Sequence, residues 1–181
     1  MTKEGDELVT HNEAFIDGQN LYYSTTHSDV AWKTDNFRFR EYLRRKFNIE
    51  RAYYFLGCFD DELQPMYDNL QEAGYILVFR KHLNVALSHK KGNVDTDIVF
   101  YIMHKLYKHE NIDKIYLVSG DGDYYRLVRF LRDEGKLGKI MFPVRDYASS
   151  LYRRIEQKYR MYLDDTDVKR KIAYTGKKTN N

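Results

Sequence analysis

Five short apolar runs, separated by stretches with helical spacing, constrain this chain more than any other feature. The runs are Ala14–Asp17, Arg51–Cys58, Tyr75–Phe79, Lys114–Val118 and Lys139–Val144. Helices are expected over Phe37–Phe47 and Asp61–Ala73, the latter closed by Gly74. Val94, Ile98, Tyr101, Ile102 and Leu106 recur at helical spacing, and Tyr124, Leu127, Val128 and Leu131 fall at i, i+3, i+4 and i+7 before Gly135. A last helix is expected over Ser149–Leu163, turning Leu151, Ile155, Tyr159 and Tyr162 inward. Short strands alternating with longer helices imply βαβ units, hence an α/β fold with a parallel sheet covered on both faces.

With 181 residues, 43% of them hydrophobic and 15% aromatic, the chain fits one domain with a sizeable core. The one cysteine, Cys58, excludes an internal disulfide and a thiolate zinc cluster, and is read as a small buried residue. A reducing cytoplasm is the expected setting. The opening segment is charged, and no apolar stretch is long enough to span a bilayer, so no membrane role is expected. The net charge of +3 comes from the end of the chain. Removing the five cations after Val168 (Lys169, Arg170, Lys171, Lys177, Lys178) leaves residues 1–167 at −2. Residues 1–12 read as an extension, 13–163 as the domain and 164–181 as a basic tail, either solvated or drawn to a polyanion.

The chemistry concentrates in aspartates. In doubly wound sheets ligands bind beyond the carboxyl ends of the strands, where strand order reverses. Asp17 ends the first run, and Asp121 and Asp123 follow the fourth around a single glycine. Asp95 and Asp97 open a helical stretch, where two residues diverge by about 200°, so one of them faces the site. Asp95 is favoured, with Asp97 as an auxiliary ligand or a first-turn dipole partner. Asp123 can cap the helix that follows while its second oxygen reaches a cation, and capping alone is the bland alternative. Gathering like charges suits a hard cation, Mg²⁺ or Mn²⁺ rather than zinc.

The segments Phe15-Ile-Asp-Gly-Gln-Asn-Leu21, Lys91-Gly-Asn-Val-Asp-Thr-Asp97 and Leu117-Val-Ser-Gly-Asp-Gly-Asp-Tyr124 resemble the three signatures of the NYN domains, the LabA-like branch of the PIN-domain nucleases. The resemblance spans roughly residues 13–163. It implies a PIN-like (Rossmannoid) parallel sheet in the order 3-2-1-4-5 with helices on both faces, an acidic pocket holding Mg²⁺ or Mn²⁺, hydrolysis of RNA phosphodiesters, and pairing into homodimers. Carried over by motif, Asp17, Asp95, Asp121 and Asp123 are the catalytic, metal-site acids, with Asp97 auxiliary. Asn20 would position the first loop or a phosphate, and Ser119 would support the acidic turn. Where many relatives carry a further acid, this chain continues Ile98-Val-Phe-Tyr-Ile102, which leaves the number of metals open.

Substrate contacts are sought in Arg80 and Lys91, in the Arg80-Lys-His82 and His89-Lys-Lys91 runs, and in the basic stretch Arg38, Arg40, Arg44, Arg45 and Lys46. An exposed Tyr23 or Tyr125 would stack on an unpaired base, favouring single-stranded RNA. For these residues solvated faces and ordinary packing are the alternatives. His82, His89, His104 and His109 lack motif context. Besides a metal-dependent ribonuclease, two readings stand: a catalytically weak or inactive RNA-binding or scaffold protein of the same fold, and a phosphatase of the haloacid-dehalogenase type. The phosphatase chemistry wants a second acid two residues after the first, and Asp17-Gly18-Gln19 offers none.

Overall fold

The computed structural model describes residues 10–80 and 94–176. In chain order it contains β1 (Asn12–Asp17), α1 (Gly18–Thr26), α2 (Asn36–Phe47), β2 (Ile49–Leu56), α3 (Gln64–Glu72) and β3 (Ile76–Phe79). Then follow α4 (Val94–Tyr107), β4 (Ile115–Val118), α5 (Tyr125–Asp133), β5 (Leu137–Phe142), β6 (Arg160–Tyr162) and α6 (Thr166–Ile172). All strand pairs are parallel, in the order β3-β2-β1-β4-β5-β6. The expected order of the first five strands holds, and a sixth strand extends it.

Two cores lie on opposite faces of the sheet, as the unbroken apolar runs of β1 and β4 require. Phe15, Leu117 and Ile140 meet Ile98 and Ile102 of α4 and Leu127, Val128 and Leu131 of α5. Ala14, Ile16 and Met141 on the other face meet Leu21 of α1, Phe39 and Leu43 of α2, Leu70 of α3 and Ile172 of α6. Each such side chain contributes about 1.5–3 kcal/mol on full burial. Helix boundaries follow local chemistry. The Asp35 carboxylate accepts the Arg38 N–H at 3.0 Å to start α2, and Asn48 ends it in the left-handed region at φ 51°.

The expected helix over Ser149–Leu163 is not formed. Two 3₁₀ turns, Ser150–Arg154 and Gln157–Tyr159, lead into β6, whose Arg160, Met161 and Tyr162 pair with Ile140, Met141 and Phe142. Ile155 breaks any helix with an extended backbone at φ −93° and ψ 135°. The spacing of Leu151, Ile155 and Tyr159 imitates one, yet Leu151 is 40% exposed while Ile155 is buried. Covering the edge of β5 with a strand outweighs a marginal helix propensity here. The cationic segment is likewise structured through α6, which buries Ile172, and beyond it Ala173 bridges to Thr34. Cys58 is exposed rather than buried, because it stands past the end of β2. Among the described residues no helix is long and apolar enough to cross a membrane.

Candidate metal centre

Strand order reverses between β1 and β4, and the aspartates gather at the carboxyl ends of that pair. Asp17 is the last residue of β1, whose Ile16 pairs with Val118 at the end of β4. Its Oδ1 accepts the Asn20 N–H at 2.9 Å, so Asp17 caps α1 at the same time. Helix and strand meet with no linker because residue 18 is glycine. A Cβ there would lie 2.3 Å from the Tyr54 ring and 2.7 Å from the Phe55 carbonyl oxygen.

The turn after β4 is held from three sides. Ser119 is fully buried, and its Oγ accepts the Asp121 N–H at 3.1 Å. Asn20 reaches across from α1, its Oδ1 accepting the Gly120 N–H at 2.9 Å. The Tyr152 hydroxyl donates to the Asp121 carbonyl. Asp121 itself caps the short turn Gly122–Tyr124 by accepting the Asp123 N–H at 3.0 Å. The cap is therefore Asp121, not Asp123, whose side chain is left exposed. A one-turn 3₁₀ segment precedes α5 and moves the capping position back by two residues.

Asp95 lies in the first turn of α4, which approaches the same edge from the other side. One carboxylate oxygen from each of Asp95, Asp121 and Asp123 falls within 4.8 Å of the others. Asp17 joins them through one hydroxyl: Tyr124 Oη is 2.8 Å from Asp95 Oδ1 and 3.1 Å from Asp17 Oδ2. Asp97 is not one of the three, is half exposed, and lies 4.0 Å from the Arg80 guanidinium.

Carboxylates this close repel by about 3 kcal/mol per pair at an effective dielectric of ~20. The consequence is visible in Asp17. Burial raises its pKa to about 6, the Asn20 and Tyr124 hydrogen bonds pull against that rise, and the charges of Asp95 and Asp121 add to it. Asp95 is also raised, first by burial and then by Asp121 and Asp123. Burial and the two flanking carboxylates hold the Tyr124 hydroxyl far above its ordinary range, so it remains a donor. The single Tyr124 hydroxyl proton lies between the two carboxylate oxygens, which it holds on either side. An all-carboxylate oxygen set with no thiolate or imidazole suits Mg²⁺ or Mn²⁺, so the residues fit such an ion.

The expected substrate contacts divide. Tyr23 is 53% exposed on α1, with its ring 5.2 Å from that of His27. Tyr125 is half buried, packed edge-on against Tyr152. Arg80 follows β3 at the same sheet edge as the acids. Lys91, His82 and His89 lie outside the described residues. The carboxy-terminal part of the basic stretch of α2, Arg44, Arg45 and Lys46, lies away from the acids. Phe47 ends that helix beside Asn12, whose side chain donates to the Phe47 carbonyl at 2.8 Å, so this end of α2 sits at the amino end of β1. Five residues of strand, about 17 Å, separate it from Asp17. There Arg40 bonds the carbonyls of Gly74, Ile49 and Glu50, and Arg44 pairs with Glu41.

Sequence reasoning missed Tyr124 and Tyr152 as parts of the site. Tyr124 was legible as a core position on the α5 face, and burial of an aromatic with a polar tip beside three acids was the available signal.

The NYN domain model matches residues 14–160. Low amplitude and bright protein LabA of Synechococcus elongatus is 27% identical over 170 residues, covering 89% of this chain and 87% of that protein. The crystal structure of a Vibrio parahaemolyticus protein of unknown function shares the fold, with a TM-score of 0.74 at 17% identity over 94% of this chain and 99% of the other. On the family match and the fold together, the chain belongs to the NYN domain family.

Proposed function

We propose that the chain is a ribonuclease that hydrolyses phosphodiester bonds of single-stranded RNA with Mg²⁺ or Mn²⁺ in its acidic hollow. The observation that carries this reading is the convergence of Asp95, Asp121 and Asp123 within 4.8 Å. Membership of the NYN family, whose domains are PIN-like nucleases, supports it. In this reading Asp95, Asp121 and Asp123 hold the ion, and Asp17 completes the set from the floor of the hollow. Bound there, the ion would polarise a phosphoryl oxygen and lower the pKa of an attacking water.

The protein's own groups do the rest. Tyr124 keeps Asp17 and Asp95 at a fixed spacing, and Ser119, Asn20 and Tyr152 fix the backbone that carries Asp121. Such rigidity matters because ligands held in place cost no reorganisation when the reaction occurs. In this reading the exposed Asp123 carboxylate accepts a proton from water or orients it. Asp97, the auxiliary acid of this reading, lies 4.0 Å from the Arg80 guanidinium and outside the group of three. Tyr23 offers an exposed ring for an unpaired base. The single exposed thiol suits a reducing compartment, and we place the protein in the cytoplasm on that ground.

The test is cleavage of end-labelled single-stranded RNA in the presence of Mn²⁺, Mg²⁺ or chelator. Cleavage that requires the ion and falls about 10²–10³-fold in Asp121→Asn, with unchanged circular dichroism, is the expected result. RNA binding without any cleavage under all ions would favour the non-catalytic binding protein instead.

A further inference from the structure

On the face of the sheet that α2 and α6 cover, cations gather as the acids do at the carboxyl edge. A hollow of about 400 Å³ opens there, lined by Arg38, Glu41, Tyr42, Arg45 and Lys46 of α2 and Lys171 of α6. The fold uses part of this charge. The Arg38 guanidinium donates to the carbonyls of Ala173 and Arg170, both at 2.9 Å, which clamps α6 onto α2. Arg44 and Arg45 share the single carboxylate of Glu41, and the Arg45 side chain stays 75% exposed.

Lys46 and Lys171 remain. Both are exposed, and among the described residues neither has a carboxylate partner. Lys46 acts instead on another ammonium, that of Lys139, which stands on β5 two residues before Met141 and so on the same face of the sheet. Burial lowers the Lys139 pKa, and the Lys46 charge lowers it further. Like charges kept together on a surface cost stability unless an opposite charge comes to them, and here that charge is an anion.

We propose that this hollow is a second contact for the RNA strand, gripping the phosphate backbone of a segment remote from the bond being cut. The inference rests on the ribonuclease reading and extends it to RNA long enough to leave the acidic hollow. The two cations without a partner are lysines, a residue depleted from protein–protein interfaces and common at phosphates, which favours RNA over an acidic protein segment. The Phe47 end of α2 sits at the amino end of β1, about 17 Å of strand from Asp17. At ~3.4 Å per nucleotide along a stacked strand, at least about five nucleotides separate the two contacts.

The test sets the double variant Lys46→Gln/Lys171→Gln, altered only at exposed side chains, against single-stranded RNAs of two lengths. About 20 nucleotides spans the interval and about four does not, at ~3.4 Å each. In chelator, where nothing is cleaved, fluorescence anisotropy should show the longer RNA bound about tenfold more weakly by the variant, with the slope of log Kd against log salt lowered by about 1.4, ~0.7 for each lost phosphate contact. With Mn²⁺ restored, KM for the longer RNA should rise while its kcat, and cleavage of the shorter RNA, keep the wild-type values. Lys46→Arg/Lys171→Arg, which keeps the charge, should behave as the wild type throughout. Unchanged binding of the longer RNA by the glutamine variant overturns the second contact and leaves the nuclease standing, as does an equal loss on both lengths. Poly-glutamate bound more tightly than RNA through the same two lysines overturns it in favour of an acidic protein segment. RNA binding that needs the two lysines, in a chain that cleaves no RNA, supports the contact and sinks the nuclease reading alone.

Discussion

At the amino edge of the sheet, the carboxylates of Glu13 and Glu110 close on the ammonium of Lys105, which is also 3.0 Å from the Tyr53 hydroxyl. Glu13 and Lys105 are almost fully buried, 3.3 Å apart. At the carboxyl edge, Asp17 is buried and Asp95 half buried, and the charges that act on Asp17 are those of Asp95 and Asp121, while those that act on Asp95 are Asp121 and Asp123. One end of the same sheet supplies its own cation and the other collects acids around a tyrosine hydroxyl. Among the described residues, the amino edge pairs its charges within the fold, and the carboxyl edge brings acid next to acid.

Removing a charge should therefore have opposite signs at the two ends. The largest effect is expected at the amino edge. Lys105→Met leaves Glu13 buried without its counter-ion and should lose about 3–5 kcal/mol of stability, read by urea denaturation. A loss under about 1 kcal/mol would mean that Glu13 takes a proton at little cost and that the pairing is incidental.

At the carboxyl edge the sign reverses. The Asp17 pKa is about 6 in the folded chain against an ordinary 3.8, so the folded state holds this proton more tightly than the unfolded one. The contribution is fully present below pH 3.8 and is lost as pH rises through about 6, amounting to about 3 kcal/mol. Asp17→Asn should abolish that loss, stabilising the metal-free protein by about 2–3 kcal/mol at pH 7 while removing cleavage. Equal or lower stability of the variant in chelator would show that the acids are not in conflict.

A divalent ion should relieve the same conflict. Mn²⁺ at a hundredfold excess over its Kd adds about 2.7 kcal/mol, and thus several degrees to Tm, and Asp121→Asn should remove that shift. Lys105→Met should retain it, because the two edges are separate. The smallest effect is expected for Tyr124→Phe, which deletes only the bridging hydroxyl. It should cost about 1 kcal/mol of stability and weaken Mn²⁺ binding by about tenfold, measured by calorimetry.

Much of this architecture could be read from the residues, for reasons that differ by element. The first five strands announce themselves because buried parallel strands are continuous apolar runs, and α5 because Leu127, Val128 and Leu131 keep one face. Strand β6 hides, since Arg160-Met-Tyr162 is three residues long with a charge at its start, and an edge strand needs only one neighbour. Helix α6 hides behind its cations, although Ile172 is fully buried. The acids were legible by position, as ends of strands and starts of helices. Their actual bonding was not, because Asp121 rather than Asp123 makes the cap, and Tyr124 serves as core and as bridge at once.

The contrast between the two edges reduces to whether the carboxyl edge holds a cation. Crystals soaked in Mn²⁺ and measured for anomalous scattering test that directly. One strong peak within coordination distance of the carboxylates of Asp95, Asp121 and Asp123 is the expected result. A map with no peak there at saturating Mn²⁺, or with the ion seated elsewhere, would contradict it.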